Sequence, residues 1–181
     1  PRLRATQSET LGAFSPRFHD TLDTLPEAPL FLVANEFFDA LPIRQFQRGP
    51  GAAWHERMIG ADGETLIWGL APPAPVAALS DRLATTAQDQ IVETCAPATA
   101  IAAEIGRRVN SHGGAALIVD YGDRESRGDT FQAVSGHDYA DPLADPGRAD
   151  LTAHVAFGPV ARAAAPAVAS ALVPQGVFLE R

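Results

Sequence analysis

The chain has 181 residues, of which 46% are hydrophobic, 20% charged and 7% aromatic, so it is long enough to bury the core of one globular domain. Its formal net charge is −8 and its 14 basic residues, all arginines, are scattered, which argues against nucleic acid as the main partner. No apolar run reaches the length of a transmembrane helix, and a lone cysteine, Cys95, excludes an internal disulfide and a cysteine-rich zinc site.

Two continuous apolar runs, over residues 30–34 and 115–119, predict buried strands. Continuous rather than alternating apolarity is typical of parallel strands that are covered on both faces. Between the runs, Ile101, Ile105 and Val109 recur every four residues and predict a helix over residues 98–109. A helix that leads into a buried strand favours a doubly wound α/β fold, formed as a single domain over residues 1–181.

Three other segments interrupt or follow this pattern. Residues 42–70 contain three short candidate strands separated by glycine turns, which predicts an inserted antiparallel β meander. Residues 122–150 are rich in glycine, proline and aspartate and predict a long irregular loop. Residues 160–171 predict an alanine-rich helix that Pro166 breaks or kinks.

Acidic residues follow both predicted parallel strands: Glu36 and Asp39 after the first, and Asp120 after the second. Ligands of open α/β sheets bind outside the carboxyl ends of the strands, so these acids are candidate site residues. The alternative is that they cap helices or pair with arginines. No glycine-rich nucleotide loop and no nucleophile elbow is found, and Cys95 reads as a small apolar filler.

The histidines and aspartates of residues 137–154 raise a further alternative, a metal site. Their spacing matches no strong metal-binding motif, so a solvated acidic loop is the favoured interpretation and no metal is predicted.

Several longer strings carry a family resemblance. They are VANEFFDALPIRQF at residues 33–46, WHER at 54–57, DYG at 120–122, GDT at 128–130, QAV at 132–134 and ADLTAHV at 149–155. In this order they resemble the MidA family of class I S-adenosylmethionine-dependent methyltransferases, which includes an arginine methyltransferase that assists assembly of mitochondrial complex I. The resemblance implies a partial Rossmann-like methyltransferase sheet with an inserted antiparallel meander, and S-adenosylmethionine as cofactor. One departure is Ala156, where the family's H-V-D-F string has an acid.

The resemblance also implies cofactor-binding residues. His19 and Asp20 would end the family's third strand, close to the adenine, and Asn35 would follow the fourth strand, beside the transferring methyl group. The glycine-rich turn that holds most of the cofactor in the family is expected upstream of Pro1. The chain is therefore expected to be part of a longer enzyme.

By the same resemblance, five residues would serve the acceptor. Glu36 and Asp39 would hold a guanidinium and act as catalytic residues, since carboxylates bind arginine in a directional, bidentate way. Asp120, Tyr121 and His154 would line the rim that receives the substrate.

The function that the resemblance implies is methyl transfer to a protein arginine, with a respiratory complex I subunit as one candidate partner. The alternative is a non-catalytic assembly module that keeps the fold but has lost the cofactor loop, motivated by Ala156 and by a sequence that starts after the expected position of that loop. Metal-dependent hydrolysis in the acidic loop is a third hypothesis. The expected location is the bacterial cytoplasm, with mitochondria as the alternative that the relatives suggest.

Overall fold

A computed structural model describes residues 2–180 and shows a mixed α/β architecture. The helices are α1 Arg2–Thr10, α2 Ala96–His112, α3 Phe157–Ala163 and α4 Gln175–Leu179. The first six strands are β1 Leu30–Asn35, β2 Arg44–Arg48, β3 Trp54–Asp62, β4 Thr65–Leu70, β5 Ile91–Thr94 and β6 Gly114–Val119. The short strands that follow are β7 Gly122–Asp123, β8 Gln132–Ser135, β9 Asp138–Ala140, β10 Asp150–Thr152 and β11 Val155–Ala156.

The two predicted apolar strands pair in parallel, as expected, with α2 between them in sequence. The register runs from Leu30 opposite Gly114 to Asn35 opposite Val119, so both strands end at the same level. Gly114 lies so close to β1 that an added Cβ would come within 2.0 Å of the Leu30 carbonyl oxygen. Glycine is therefore required where β6 begins.

The prediction that this strand pair is covered on both faces is wrong for the residues described. One face packs on α2 in the main core, whose buried members are Phe38, Ala98, Ala102, Ile105, Val155 and Val160. On the opposite face Phe31 is 82% exposed and Val33 is 73% exposed. A continuous apolar run indicates that a strand needs apolar neighbours on both faces, but it does not identify the segments that provide them.

The predicted meander is confirmed as an antiparallel sheet of order β4-β3-β2-β5. Three of its strands were predicted, whereas the fourth, β5, comes from residues beyond the predicted meander. One face of this sheet forms a second core of Phe46, Trp54, Leu79 and Val92. Leu79 comes from the 3-10 helix Ala77–Arg82, which lies between β4 and β5.

Residues 122–150 are less irregular than predicted. Strands β8, β9 and β10 form a small antiparallel sheet, and β7 pairs in parallel with β11. Strands β8 and β9 are joined at Gly136 and His137, which both have positive φ angles (59° and 72°), so this glycine marks a tight hairpin and not an open loop.

Two further predictions need correction. Helix α3 ends at Ala163, and residues 164–171 form no helix, because Pro166 cannot donate to the helical ladder and disfavours helix in the residue before it. Residues 18–20 lie in irregular structure and not at the end of a strand.

Candidate functional site

The parallel register brings the ends of β1 and β6 together. The amide of Glu36 donates a hydrogen bond to the Val119 carbonyl oxygen at 2.9 Å, one step beyond the last paired residues. Glu36 has a φ of 48°, a left-handed conformation that is uncommon for a residue other than glycine. The chain therefore turns sharply where β1 ends, and Glu36 to Asp39 lie beside the end of β6.

Asp120 fixes this turn through its side chain. Its Oδ2 atom accepts hydrogen bonds from the amides of Phe38 at 2.9 Å and Asp39 at 3.2 Å. Its Oδ1 atom accepts a bond from the amide of Tyr121 at 2.8 Å. The carboxylate of Asp120 thus joins the turns that follow the two strands, a positioning role in addition to its predicted place on the substrate rim.

Asp39 is the buried acid of the site, with 7% of its surface exposed. Burial raises the pKa of Asp39, and the nearby charges of Asp120 and Glu36 raise it further. Two hydrogen bonds from backbone amides oppose the shift without cancelling it. Three carboxyl groups therefore converge at this edge of the sheet, where a bound cation would relieve their mutual repulsion.

The segment that contains His154 joins the same edge. The amide of Ala153 donates to the Asp39 carbonyl oxygen at 3.0 Å, and the amide of Val155 donates to the Tyr121 carbonyl oxygen at 2.8 Å. These bonds place exposed His154 between residues that contact both strand-end turns. The structure thus brings together Glu36, Asp39, Asp120, Tyr121 and His154.

The predicted adenine-side residues have partners elsewhere. Asp20 forms an exposed ion pair with Arg4, and His19 Nδ1 lies 2.9 Å from the Thr24 hydroxyl. Within residues 2–180, no hydrogen bond or ion pair that we find links either residue to Asn35 or to the acidic cluster. Asn35 is exposed at the last position of β1. The roles of His19, Asp20 and Asn35 in cofactor binding stay predictions.

Two adjoining cavities open beside this edge and share Glu93, Ser126, His154 and Val155 in their walls. The larger has a volume of about 130 Å³, and acids (Glu93, Asp123 and Glu125) contribute to its lining. The smaller has a volume of about 30 Å³ and reaches Phe38, the residue before Asp39.

Sequence reasoning missed the buried polar residues behind these cavities, Glu93 above all, which is 6% exposed. The available signal was the β-branched pair Ile91 and Val92, which favours a strand and would have placed the next residue, Glu93, within it. Cys95, in contrast, matches its prediction as a packing residue. It packs against the main core, and burial raises the pKa of its thiol, which disfavours a reactive thiolate.

No helix within residues 2–180 is both long and apolar enough to cross a membrane. Over the same residues, no group of three or more histidine, cysteine, aspartate or glutamate side chains is arranged to hold a metal ion. The metal-site hypothesis for the acidic loop therefore has no geometric support in the described part of the chain.

Comparison with protein families gives the decisive observation. Residues 1–175 match the model of a family described as "Putative S-adenosyl-L-methionine-dependent methyltransferase". The chain belongs to this methyltransferase family. The resemblance stated from the sequence motifs is thereby confirmed, and so is the α/β fold class.

Curated relatives include the mitochondrial protein arginine methyltransferase NDUFAF7 of Mus musculus, 40% identical over 164 residues, a match that covers 88% of this chain and 37% of that protein. The protein of the same name from Homo sapiens is 38% identical over 164 residues, covering 88% of this chain and 36% of its own length. The chain thus spans less than two fifths of the length of these relatives.

Among solved structures, a "likely methyl transferase" from Burkholderia thailandensis, crystallised with S-adenosyl-homocysteine, superposes with a TM-score of 0.71 at 29% identity. The match covers 91% of this chain and 45% of that one. A second, native structure of a protein from the same organism gives a TM-score of 0.70.

Proposed function

We propose that the protein containing this chain transfers a methyl group from S-adenosylmethionine to an arginine of a protein substrate. The observation that carries the proposal is the convergence of Glu36, Asp39 and Asp120 at the carboxyl ends of two parallel strands. The names of the curated relatives support arginine as the acceptor, and the solved relative with S-adenosyl-homocysteine supports the cofactor.

The residues of this edge suit both cations that the reaction needs. S-adenosylmethionine supplies, when bound, a methyl group on a positively charged sulfur. A guanidinium is also a cation, and a carboxylate can bind it through two parallel hydrogen bonds. Asp120 is already engaged by three backbone amides, so Glu36 and Asp39 are the acids proposed to hold the guanidinium.

The chemistry assigned to these acids is positioning and proton acceptance. Methylation forms a nitrogen–carbon bond, breaks the carbon–sulfur bond and releases one proton from the nitrogen. Glu36 and Asp39 would orient the nitrogen toward the methyl group, so that the rate arises mainly from alignment and charge stabilisation. A raised pKa makes Asp39 a better proton acceptor than an ordinary aspartate, because a carboxylate accepts a proton more readily as its pKa rises.

The remaining assignments complete the proposal. Asp120, Tyr121 and His154 line the substrate rim, and His19, Asp20 and Asn35 contribute to the cofactor side. Residues 1–181 form one domain of the longer enzyme. The substrate is a protein with an exposed arginine, with a respiratory complex I subunit as one candidate, and the proposed location is the cytoplasm of a bacterium.

Calorimetric titration of S-adenosylmethionine into the 181-residue chain and into a longer protein that contains it tests the cofactor. The transfer itself is measured by incubating the longer protein with S-adenosylmethionine labelled with tritium in its methyl group and a lysate of cells that lack this protein. Mass spectrometry then identifies the methylated residue. Binding by neither protein would favour the non-catalytic assembly module, and methyl transfer to a residue other than arginine would refute the arginine assignment.

Glu36→Gln should lower the initial rate of methyl transfer at least about tenfold, a loss of about 1.4 kcal/mol in transition-state stabilisation, while leaving cofactor affinity nearly unchanged. Glu64→Gln is the matched control, because Glu64 is an exposed acid between β3 and β4 and the change removes the same charge. Equal rates of methyl transfer for Glu36→Gln and Glu64→Gln would refute the role proposed for Glu36.

A further inference from the structure

A polar row with two buried members crosses the face of the meander sheet that lies opposite the second core. Arg57, Gln45 and Glu93 are neighbours in register on β3, β2 and β5. Gln45 is 5% exposed and Glu93 is 6% exposed, and Gln45 Nε2 donates a hydrogen bond of 2.7 Å to Glu93 Oε1. A buried carboxylate is costly unless hydrogen bonds compensate its lost hydration, so the remaining partners of Glu93 matter.

Those partners come from the segment of residues 126–130. The amide of Thr130 donates to Glu93 Oε1 at 2.9 Å, and the Thr130 hydroxyl donates to Glu93 Oε2. The Ser126 hydroxyl accepts a bond from the Glu93 amide at 2.8 Å. Asp129 accepts a bond from Gln45 at 2.7 Å. The polar row thus binds this segment to the meander sheet.

The Thr130 hydroxyl has a second partner, and that partner lies at the functional site. Its oxygen accepts a hydrogen bond of 2.8 Å from the backbone amide of His154. Because the Thr130 hydroxyl donates its proton to Glu93, an oxygen lone pair of Thr130 is left to accept the bond from the His154 amide. Glu93, Thr130 and His154 also line the larger cavity.

We propose that Thr130, oriented by Glu93, is a positioning residue that fixes the main chain at His154 on the substrate rim. This proposal rests on the proposed function, in which His154 lines that rim. It also assigns a role to the inserted meander, whose buried acid is linked to the site through one hydroxyl group.

The test uses the longer protein that contains this chain, with the variants Thr130→Val and Thr130→Ser. Valine has almost the volume of threonine but no hydroxyl, whereas serine keeps the hydroxyl. The readouts are hydrogen exchange of the His154 amide by NMR, the initial rate of methyl transfer and the apparent KM for S-adenosylmethionine. Thr86→Val is the matched control, because the Thr86 hydroxyl is buried without a hydrogen-bond partner among the described residues.

Thr130→Val should accelerate exchange of the His154 amide about fivefold or more, the factor expected for one hydrogen bond of ordinary net strength. Because the substrate rim is misplaced, it should also lower the rate of methyl transfer about tenfold with an unchanged apparent KM for the cofactor. Thr130→Ser should keep the wild-type exchange of the His154 amide and the wild-type rate of methyl transfer, and Thr86→Val should match the wild-type protein in both.

Unchanged exchange at His154 in Thr130→Val would contradict the hydrogen-bond link, and faster exchange with a normal rate would contradict the positioning role. If Thr130→Val does not fold, Thr130→Ser still decides, since a serine variant that loses the protection or the rate overturns the proposal. A wild-type protein that transfers no methyl group would instead refute the proposed function and, with it, the catalytic purpose of the link. The exchange measurement would still decide whether the link exists.

Discussion

Gly106 in α2 is the position where a single added methyl group should disturb the fold most clearly. Helix α2 packs on α3, and a Cβ at Gly106 would lie 1.9 Å from the Ala164 carbonyl oxygen and 2.7 Å from its Cα. The helices would have to separate by about 1.5 Å to restore ordinary contact. Overpacking of this kind costs about 1–3 kcal/mol, and rigid backbone on the opposing side favours the upper end.

Alanine gains about 1 kcal/mol over glycine in helix propensity, so Gly106→Ala should lower the free energy of unfolding by about 2 kcal/mol. For a chain of this size, that corresponds to a decrease of about 4–8 °C in Tm. Equilibrium urea unfolding followed by circular dichroism measures the effect. Gly69→Ala is the control, since Gly69 lies on the edge strand β4 with no atom within 4 Å of its added Cβ, and it should remain within about 0.5 kcal/mol of wild type. Equal stability of the two variants would refute the close contact between α2 and α3.

Two further predictions concern charged residues. Asp39→Asn should raise the urea midpoint at pH 7. Burial and then the charge of Asp120 raise the pKa of Asp39 above its ordinary 3.8, so the folded state binds the proton more tightly than the unfolded state does. Ionisation of Asp39 therefore lowers the free energy of unfolding as the pH rises. The advantage of the variant should grow from about pH 4 upward and vanish below it, and a pH-independent difference would contradict this cause. Arg108→Met should lower the unfolding free energy by about 2–4 kcal/mol, because Arg108 is 2% exposed and donates to Glu104 at 2.6 Å and to three backbone carbonyls before β1. Arg107→Met, at a half-exposed partner of the same glutamate, should cost less than about 1 kcal/mol, and equal losses would contradict the burial argument.

The sequence pattern was sufficient to predict those helices and strands whose signal lies within their own residues. The apolar runs of β1 and β6, the four-residue period of α2 and the glycine turns of the meander all describe neighbouring residues, and each was found in the structure. Strand β5 was missed because four residues show no reliable period, and its place in the sheet depends on β2, which lies more than forty residues earlier.

The candidate site was predicted to a similar extent. Because parallel strands end at one edge of a sheet, the acids that follow β1 and β6 were expected to meet, and they do. The sequence did not indicate that Asp120 would be engaged by backbone amides, nor that Glu93 would link the meander to His154. Such contacts depend on the folding of distant segments onto one another, and no periodicity encodes them.

The electrostatics of the acidic cluster give a reason to expect a cationic ligand there. Asp120 alone satisfies the backbone amides that join the two turns, so the structural task at this edge needs only one acid. Asp39 adds a second carboxyl group that is buried next to the first, and its raised pKa means that the folded state is destabilised by its ionisation. A bound cation would remove the repulsion between Asp39 and Asp120, which would explain why a carboxyl group that lowers the stability of the free protein lies here. A guanidinium held against Asp39 and Glu36 would do so, and the raised pKa of Asp39 is therefore consistent with the binding role proposed for this acid.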